Sequence, residues 1–194
     1  VVAVSYRKPP THKYPAAVSD AVRSYRFLLN QYGKSGLQPG RVVFGGDSAG
    51  GGLCLSAMIA LKDMGCVPLP AACFLLSPWV DLTDYTRPSW NNGASSDFLY
   101  RELCEVFARC YAGEHSVNAP GISPIFGDLS GLPPLLIEIG TGEVFLDQCK
   151  AFTSKARKAG VAVAFEPVVS MAHCFTLWVN FFSKSKLSFR RVCE

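Results

Sequence analysis

The sequence contains no Cys-x-x-Cys pair, no uninterrupted apolar run of 18 residues, no internal repeat and no low-complexity tract. Without the apolar run there is no membrane-spanning helix to consider, because the longest candidate, Val67 to Val80, is broken by Pro68, Pro70, Ser77 and Pro78. The eight cysteines are scattered at 54, 66, 73, 104, 110, 149, 174 and 193. Several fall on apolar faces, so they are expected to be buried free thiols in a reducing, cytoplasmic compartment rather than bridges or a metal site. Aromatic and basic residues do not interleave, which argues against a nucleic-acid partner. The net charge is only +4, with cations dispersed except at Lys184-Ser185-Lys186 and Arg190-Arg191, read as the solvated face of a terminal helix. Histidine is scarce, with three in the chain, and that scarcity narrows the choice of any catalytic base.

What is present is a core. With 49% hydrophobic residues in 194, the chain can bury one sizeable core, and one domain spanning 1–194 is the default. Val1 to Tyr6 reads as a strand, and Ala16 to Tyr32 as a helix stopped by Gly33. Ala71 to Leu76 reads as a parallel strand buried on both faces. The stretch 81–121 breaks the rhythm with loops and one amphipathic helix, whose apolar stripe is expected to be Leu99, Leu103, Val106 and Cys110. Either part of a cap over a pocket or an ordinary crossover helix fits that stretch. Pro134 to Ile139 and Val161 to Val169 are two further strand candidates, flanking a helix with Cys149, Phe152, Ala156 and Ala159 on one face. Alternating strand and helix predicts an α/β fold, a mostly parallel sheet with helices on both faces.

The octapeptide Gly45-Gly46-Asp47-Ser48-Ala49-Gly50-Gly51-Gly52 contains G-x-S-x-G where a β-prone run, Arg41 to Phe44, meets a helix-forming run, Leu53 to Met64. In that context the motif reads as a nucleophile elbow, and Ser48 would project its hydroxyl from the sheet's edge. A glycine-rich helix start has the same composition, so the partners decide. A serine nucleophile needs a base, and the base needs an orienting acid, in the chain order Ser, Asp or Glu, His. Glu143 follows the strand candidate at 134–139, and Asp147 lies one helical turn beyond it; both are candidate acids. His173 leaves the last strand into a loop and is the candidate base. His12 and His115 precede the acid-bearing strand and read as surface loop residues.

At this point the chain resembles the hormone-sensitive-lipase-like branch of the α/β-hydrolases, over nearly its whole length. Val4-Ser5-Tyr6-Arg7 with Tyr14-Pro15-Ala16-Ala17 and Asp20 is similar to the family's "DYRLAPE...FPAA..D" stretch, and Ser5 and Lys8-Pro9-Pro10-Thr11 depart from it. Gly46 to Gly51 is similar to the family's elbow, and Ser77-Pro78-Trp79-Val80-Asp81-Leu82 to its "SPW.DL" segment. Ser123-Pro124, Gly131-Leu132-Pro133-Pro134, Gly140 to Asp147, Ala159-Gly160-Val161 and Met171 to Phe175 follow in the family's order. The resemblance implies Ser48 as nucleophile, Glu143 as orienting acid, His173 as general base and the Ala49 backbone amide as an oxyanion donor. It implies no cofactor and no metal, and a small-molecule ester as the partner. The family's His-Gly-Gly-Gly oxyanion loop has no counterpart in residues 1–194.

Because the sequence opens at Val1 without an initiator methionine, inside an apolar run, it is expected to be the C-terminal part of a longer protein, with that loop upstream. A chain limited to one oxyanion donor is expected to lose on the order of 10²- to 10³-fold in rate. Membrane contact, a targeting segment before Val1 and the oligomeric state stay open. The expected function is serine hydrolysis of carboxylic esters, short-acyl or aryl, through an acyl-enzyme. The rivals are a non-catalytic small-molecule receptor on the same scaffold, which the retained His173 argues against, and an amidase or peptidase with the same triad.

Overall fold

The computed structural model describes residues 1–93 and 95–193. In chain order the elements are α1 (Ala16–Gly33), β1 (Val43–Asp47), α2 (Ala49–Met64), β2 (Ala72–Leu76), α3 (Pro88–Asn92), α4 (Arg101–Ala112), β3 (Leu135–Gly140), α5 (Leu146–Lys158), β4 (Val163–Val168) and α6 (Ser183–Cys193). The four strands form one sheet in the order β1-β2-β3-β4, and every pairing is parallel. Parallel neighbours need crossovers, and α2 and α5 supply two of them.

α2 and α5 cover one face of the sheet. Leu55 and Met58 of α2 and Phe152 and Ala156 of α5 pack with Cys73, Leu75, Leu135 and Ile137. α1 packs on α2 through Val18, Val22 and Tyr25 against Ala57 and Leu61. α6 lies over the opposite face, where its Ser188 hydroxyl bonds the buried Glu138 carboxylate of β3. Of the two inner strands β3 is the more buried, with Leu135, Ile137, Glu138 and Ile139 all buried. β2 is not fully buried on both faces as expected: Cys73 and Leu75 are buried, while Ala72, Phe74 and Leu76 alternate with them and are only partly buried.

Two further expectations fail. Val1 to Tyr6 is irregular and largely exposed rather than a strand. β propensity yields a strand only where a neighbour completes the ladder. Here a groove of about 680 Å³ separates Val1–Val4 and Tyr6 from β1. The segment is tied down instead by Arg7, whose guanidinium and backbone amide both bond the Asp20 carboxylate of α1. On α4, the buried face is Cys104, Ala108 and Ala112, not the expected Leu103, Val106 and Cys110. Small side chains let the helix approach Trp79, Leu82 and Ile122 closely, and Val106, Phe107 and Cys110 turn to a cavity. No helix among the described residues is long and apolar enough to cross a membrane.

Candidate active site

β1 ends at Asp47 and α2 begins at Ala49, so Ser48 makes the whole turn. Its φ of 51° and ψ of −122° lie where L-residues rarely sit. The surroundings hold it there: the Ser48 amide donates to Leu76 O at 2.9 Å, and its carbonyl accepts from Trp79 N at 3.0 Å and from Gly51 N at 3.1 Å. The turn is so tight that a Cβ on Gly46 would collide with the Gly50 carbonyl. The strain thus follows from the Gly-rich sequence, and it lifts the hydroxyl clear of the sheet.

The serine hydroxyl meets a histidine. Ser48 Oγ lies 2.8 Å from His173 Nε2, and His173 Nδ1 lies 2.9 Å from Glu143 Oε2. His173 comes from the loop after β4, and Glu143 from the loop after β3, so strand ends that are neighbours in the sheet deliver them side by side. The loops touch directly: the Gly142 amide donates to Met171 O at 3.1 Å, and a Cβ on Gly140 would run into that same carbonyl. His173 and Glu143 are both buried, whereas Ser48 keeps partial exposure. Phe145 and Phe98 pack edge-on against the imidazole, with centroids at 5.1 and 5.6 Å.

Burial pushes the Glu143 carboxyl above its ordinary range, and hydrogen bonds from His173, Ser77 and the Gly140 amide oppose that rise. Its Oε1 accepts from the Ser77 hydroxyl at 2.7 Å and from Gly140 N at 2.5 Å. A carboxylate accepts only, so His173 must donate from Nδ1 and turn the lone pair of Nε2 to Ser48. That tautomer can take a proton from the serine. Asp147 is engaged elsewhere, accepting from Ser89 N at 2.9 Å and pairing with Lys150 at 3.0 Å. His12 and His115 are exposed and apart from this cluster, with His115 edge-on to Tyr14.

Sequence reasoning missed the residues that brace the acid loop. Asp97 Oδ2 accepts from Val144 N at 3.0 Å, Ser96 Oγ donates to Gly142 O at 2.8 Å and Ser89 Oγ donates to Val144 O at 2.7 Å. All three lie in the 81–121 stretch, and no local pattern announces a contact with a loop some fifty positions away. Asp97, Glu143 and His173 each bring a ligating atom within 4.8 Å of the others. Their hydrogen bonds to Val144, Ser77, Gly140 and one another already use those groups, so the cluster fits a proton relay better than a cation site.

The Ala49 amide opens α2 and, as a first-turn N–H, has no intrahelical acceptor. Ala49 borders both the groove beside β1 and a second, apolar cavity of about 470 Å³. That cavity is lined by Tyr6, Leu53, Trp79, Val106, Phe107 and Tyr111. The eight cysteines are free thiols. Cys174, next to the histidine, is buried and its thiol pushed up to about 12, first by desolvation, which keeps it protonated and a poor nucleophile.

Comparison with known proteins bears on the fold and the family. Residues 1–177 match the model of an alpha/beta hydrolase fold family. An acetyl-hydrolase of Streptomyces hygroscopicus is 44% identical over 173 residues, covering 89% of this chain and 56% of the relative. An esterase of Acinetobacter venetianus is 31% identical over 195 residues, covering 100% of this chain and 63% of the relative. Among solved structures, an esterase from the bacterial hormone-sensitive lipase family superposes with a TM-score of 0.91 at 39% identity, over 97% of this chain and 62% of that one. A crystal soaked with p-nitrophenyl butyrate gives 0.90 at 37% identity, over 96% and 61%. The chain therefore spans about three fifths of the length of these relatives. With its elbow, its parallel sheet and the match across residues 1–177, the chain belongs to the alpha/beta hydrolase fold family, in its hormone-sensitive-lipase-like branch.

Proposed function

We propose that the protein hydrolyses carboxylic esters through an acyl-enzyme on Ser48. The observation that carries this reading is the continuous chain of hydrogen bonds Ser48 Oγ, His173 and Glu143, at 2.8 and 2.9 Å. Ser48 Oγ attacks the ester carbonyl while His173 Nε2 takes its proton, and Glu143 stabilises the imidazolium that forms. The carbonyl oxygen, now negative, takes the Ala49 amide. A second donor belongs on the open side of Ser48, towards the groove beside β1. The imidazolium then protonates the departing alcohol. Water, deprotonated by the same nitrogen, releases the acid and restores Ser48.

The cavity beside Ala49 supports a short-acyl or aryl ester as the substrate. At about 470 Å³ and apolar, it has room for a short acyl chain or an aryl group. The relative soaked with p-nitrophenyl butyrate, an aryl ester of a short acid, is in keeping with that class. The test is kcat/KM across p-nitrophenyl esters of increasing acyl length. Chains of roughly two to eight carbons should be preferred, a range that such a cavity can enclose. A rate that rises only with long chains, or jumps when the substrate forms an emulsion, would overturn the short-ester assignment.

A further inference from the structure

Ser77 occupies a place no substrate can reach. It follows β2, is 1% exposed, and its φ of 50° is as unusual as that of Ser48. The Ser77 amide donates to Glu138 O at 2.7 Å, which holds the backbone against β3. Its hydroxyl lies 2.7 Å from Glu143 Oε1 and 3.1 Å from the amide of Cys174, the residue after His173. The Cys174 amide can only donate, so it takes a lone pair of the hydroxyl. The single hydroxyl proton then goes to the carboxylate.

We propose that Ser77 is a positioning residue that sets the carboxylate of Glu143 and the loop of His173 in one fixed relation. This rests on the reading of Glu143 and His173 given above. Three features support it. Oε1 is occupied by Ser77 and Gly140, so only Oε2 is left to face the imidazole. The same hydroxyl pins the backbone one residue beyond the histidine, so acid and base cannot drift apart independently. An unfavourable backbone conformation is kept at a buried position whose side chain makes both bonds, and glycine would suit that φ without making either.

Other groups around the carboxylate are Asp97, close enough to share a ligand, and the buried thiols of Cys149 and Cys174. Neither thiol is a hydrogen-bond partner of Glu143; Cys149 Sγ donates to Pro78 O. Ser77 is therefore the side-chain donor on the face of the carboxylate away from the imidazole.

The test is a double-mutant cycle in the protein, with kcat, KM and the pH profile for Ser77→Ala, Ser77→Gly, Glu143→Gln and the double variants. A hydrogen bond to a charged group predicts a kcat loss of about 10- to 100-fold for Ser77→Ala, with KM nearly unchanged. Ser77→Gly removes the same hydroxyl but relieves the positive φ, so it should lose as much kcat and unfold at a higher temperature than Ser77→Ala. The Ser77 hydrogen bond is one of the contacts that lower the Glu143 carboxyl, so without it the carboxylate is more basic and the acid limb of kcat/KM should move to higher pH. In the Glu143→Gln background the Ser77 changes should have little further effect. Equal losses in both backgrounds, or Ser77→Ala and Ser77→Gly turning over like the wild type while Glu143→Gln is crippled, would overturn the proposal alone. Normal turnover by Glu143→Gln would instead remove the acid assignment, and the role of Ser77 with it.

Discussion

Ser48, His173 and Glu143 differ in how their surroundings prepare them. Ser48 is strained but half-open, as the proposed nucleophile needs to be; the other two are buried and held from several sides. The choice of acid illustrates how spacing and contact combine. Glu143 and Asp147 are four residues apart, both close after β3, and sequence leaves both as candidates. In the fold, Glu143 turns inward to His173, while Asp147 braces Ser89 and Lys150 from the first turn of α5. Glu143→Gln should therefore cost about 10⁴-fold in kcat, the scale seen when a serine hydrolase loses its orienting carboxylate. Asp147→Asn should lose less than about 10-fold, since a half-exposed ion pair and one capping bond are at stake. Steady-state kinetics with unfolding midpoints as control will separate them, and a crippled Asp147→Asn beside a normal Glu143→Gln would redraw the relay.

At the scale of elements, most of what positions the site was readable in the sequence. The elbow, the acid-bearing strand and the late histidine each follow a local pattern, and parallel pairing then brings β3 and β4 into register, with their loops side by side. What could not be read depended on neighbours. Val1 to Tyr6 has strand composition but meets no ladder partner among the described residues, only a groove. α4 has two apolar faces; the small one packs, and the larger residues Val106 and Phe107 line a cavity, an outcome that periodicity alone cannot rank. Ser77 was visible only as part of a resembling segment, because its bonds run to positions 143 and 174.

One contact between elements has a pH signature. Arg7 holds the Asp20 carboxyl of α1 down to about 2, chiefly through its side-chain hydrogen bond and then its backbone amide. A depressed carboxyl stabilises the fold above its ordinary pKa of 3.8, and that contribution is lost as pH falls towards 2. Asp20→Asn should lower the unfolding midpoint modestly at neutral pH, with the gap to the wild type closing between about pH 4 and pH 2. A gap of the same size at both ends of that window would mean that the ion pair contributes nothing through its charge.

For the molecule as a whole, the parallel sheet fixes the distances between its strand ends, and the loops there bring Ser48, His173 and Glu143 together. The groove beside β1 lies next to Ser48 and Ala49. Whether Ser48 is a nucleophile activated by His173, as proposed, can be tested in a single event short of turnover. The measurement is covalent labelling by a p-nitrophenyl alkylphosphonate, read by intact mass and peptide mapping. One phosphonyl group is expected, on the peptide carrying Ser48, absent in Ser48→Ala and strongly suppressed in His173→Ala. Labelling that persists in Ser48→Ala, or that maps to another serine, would contradict it.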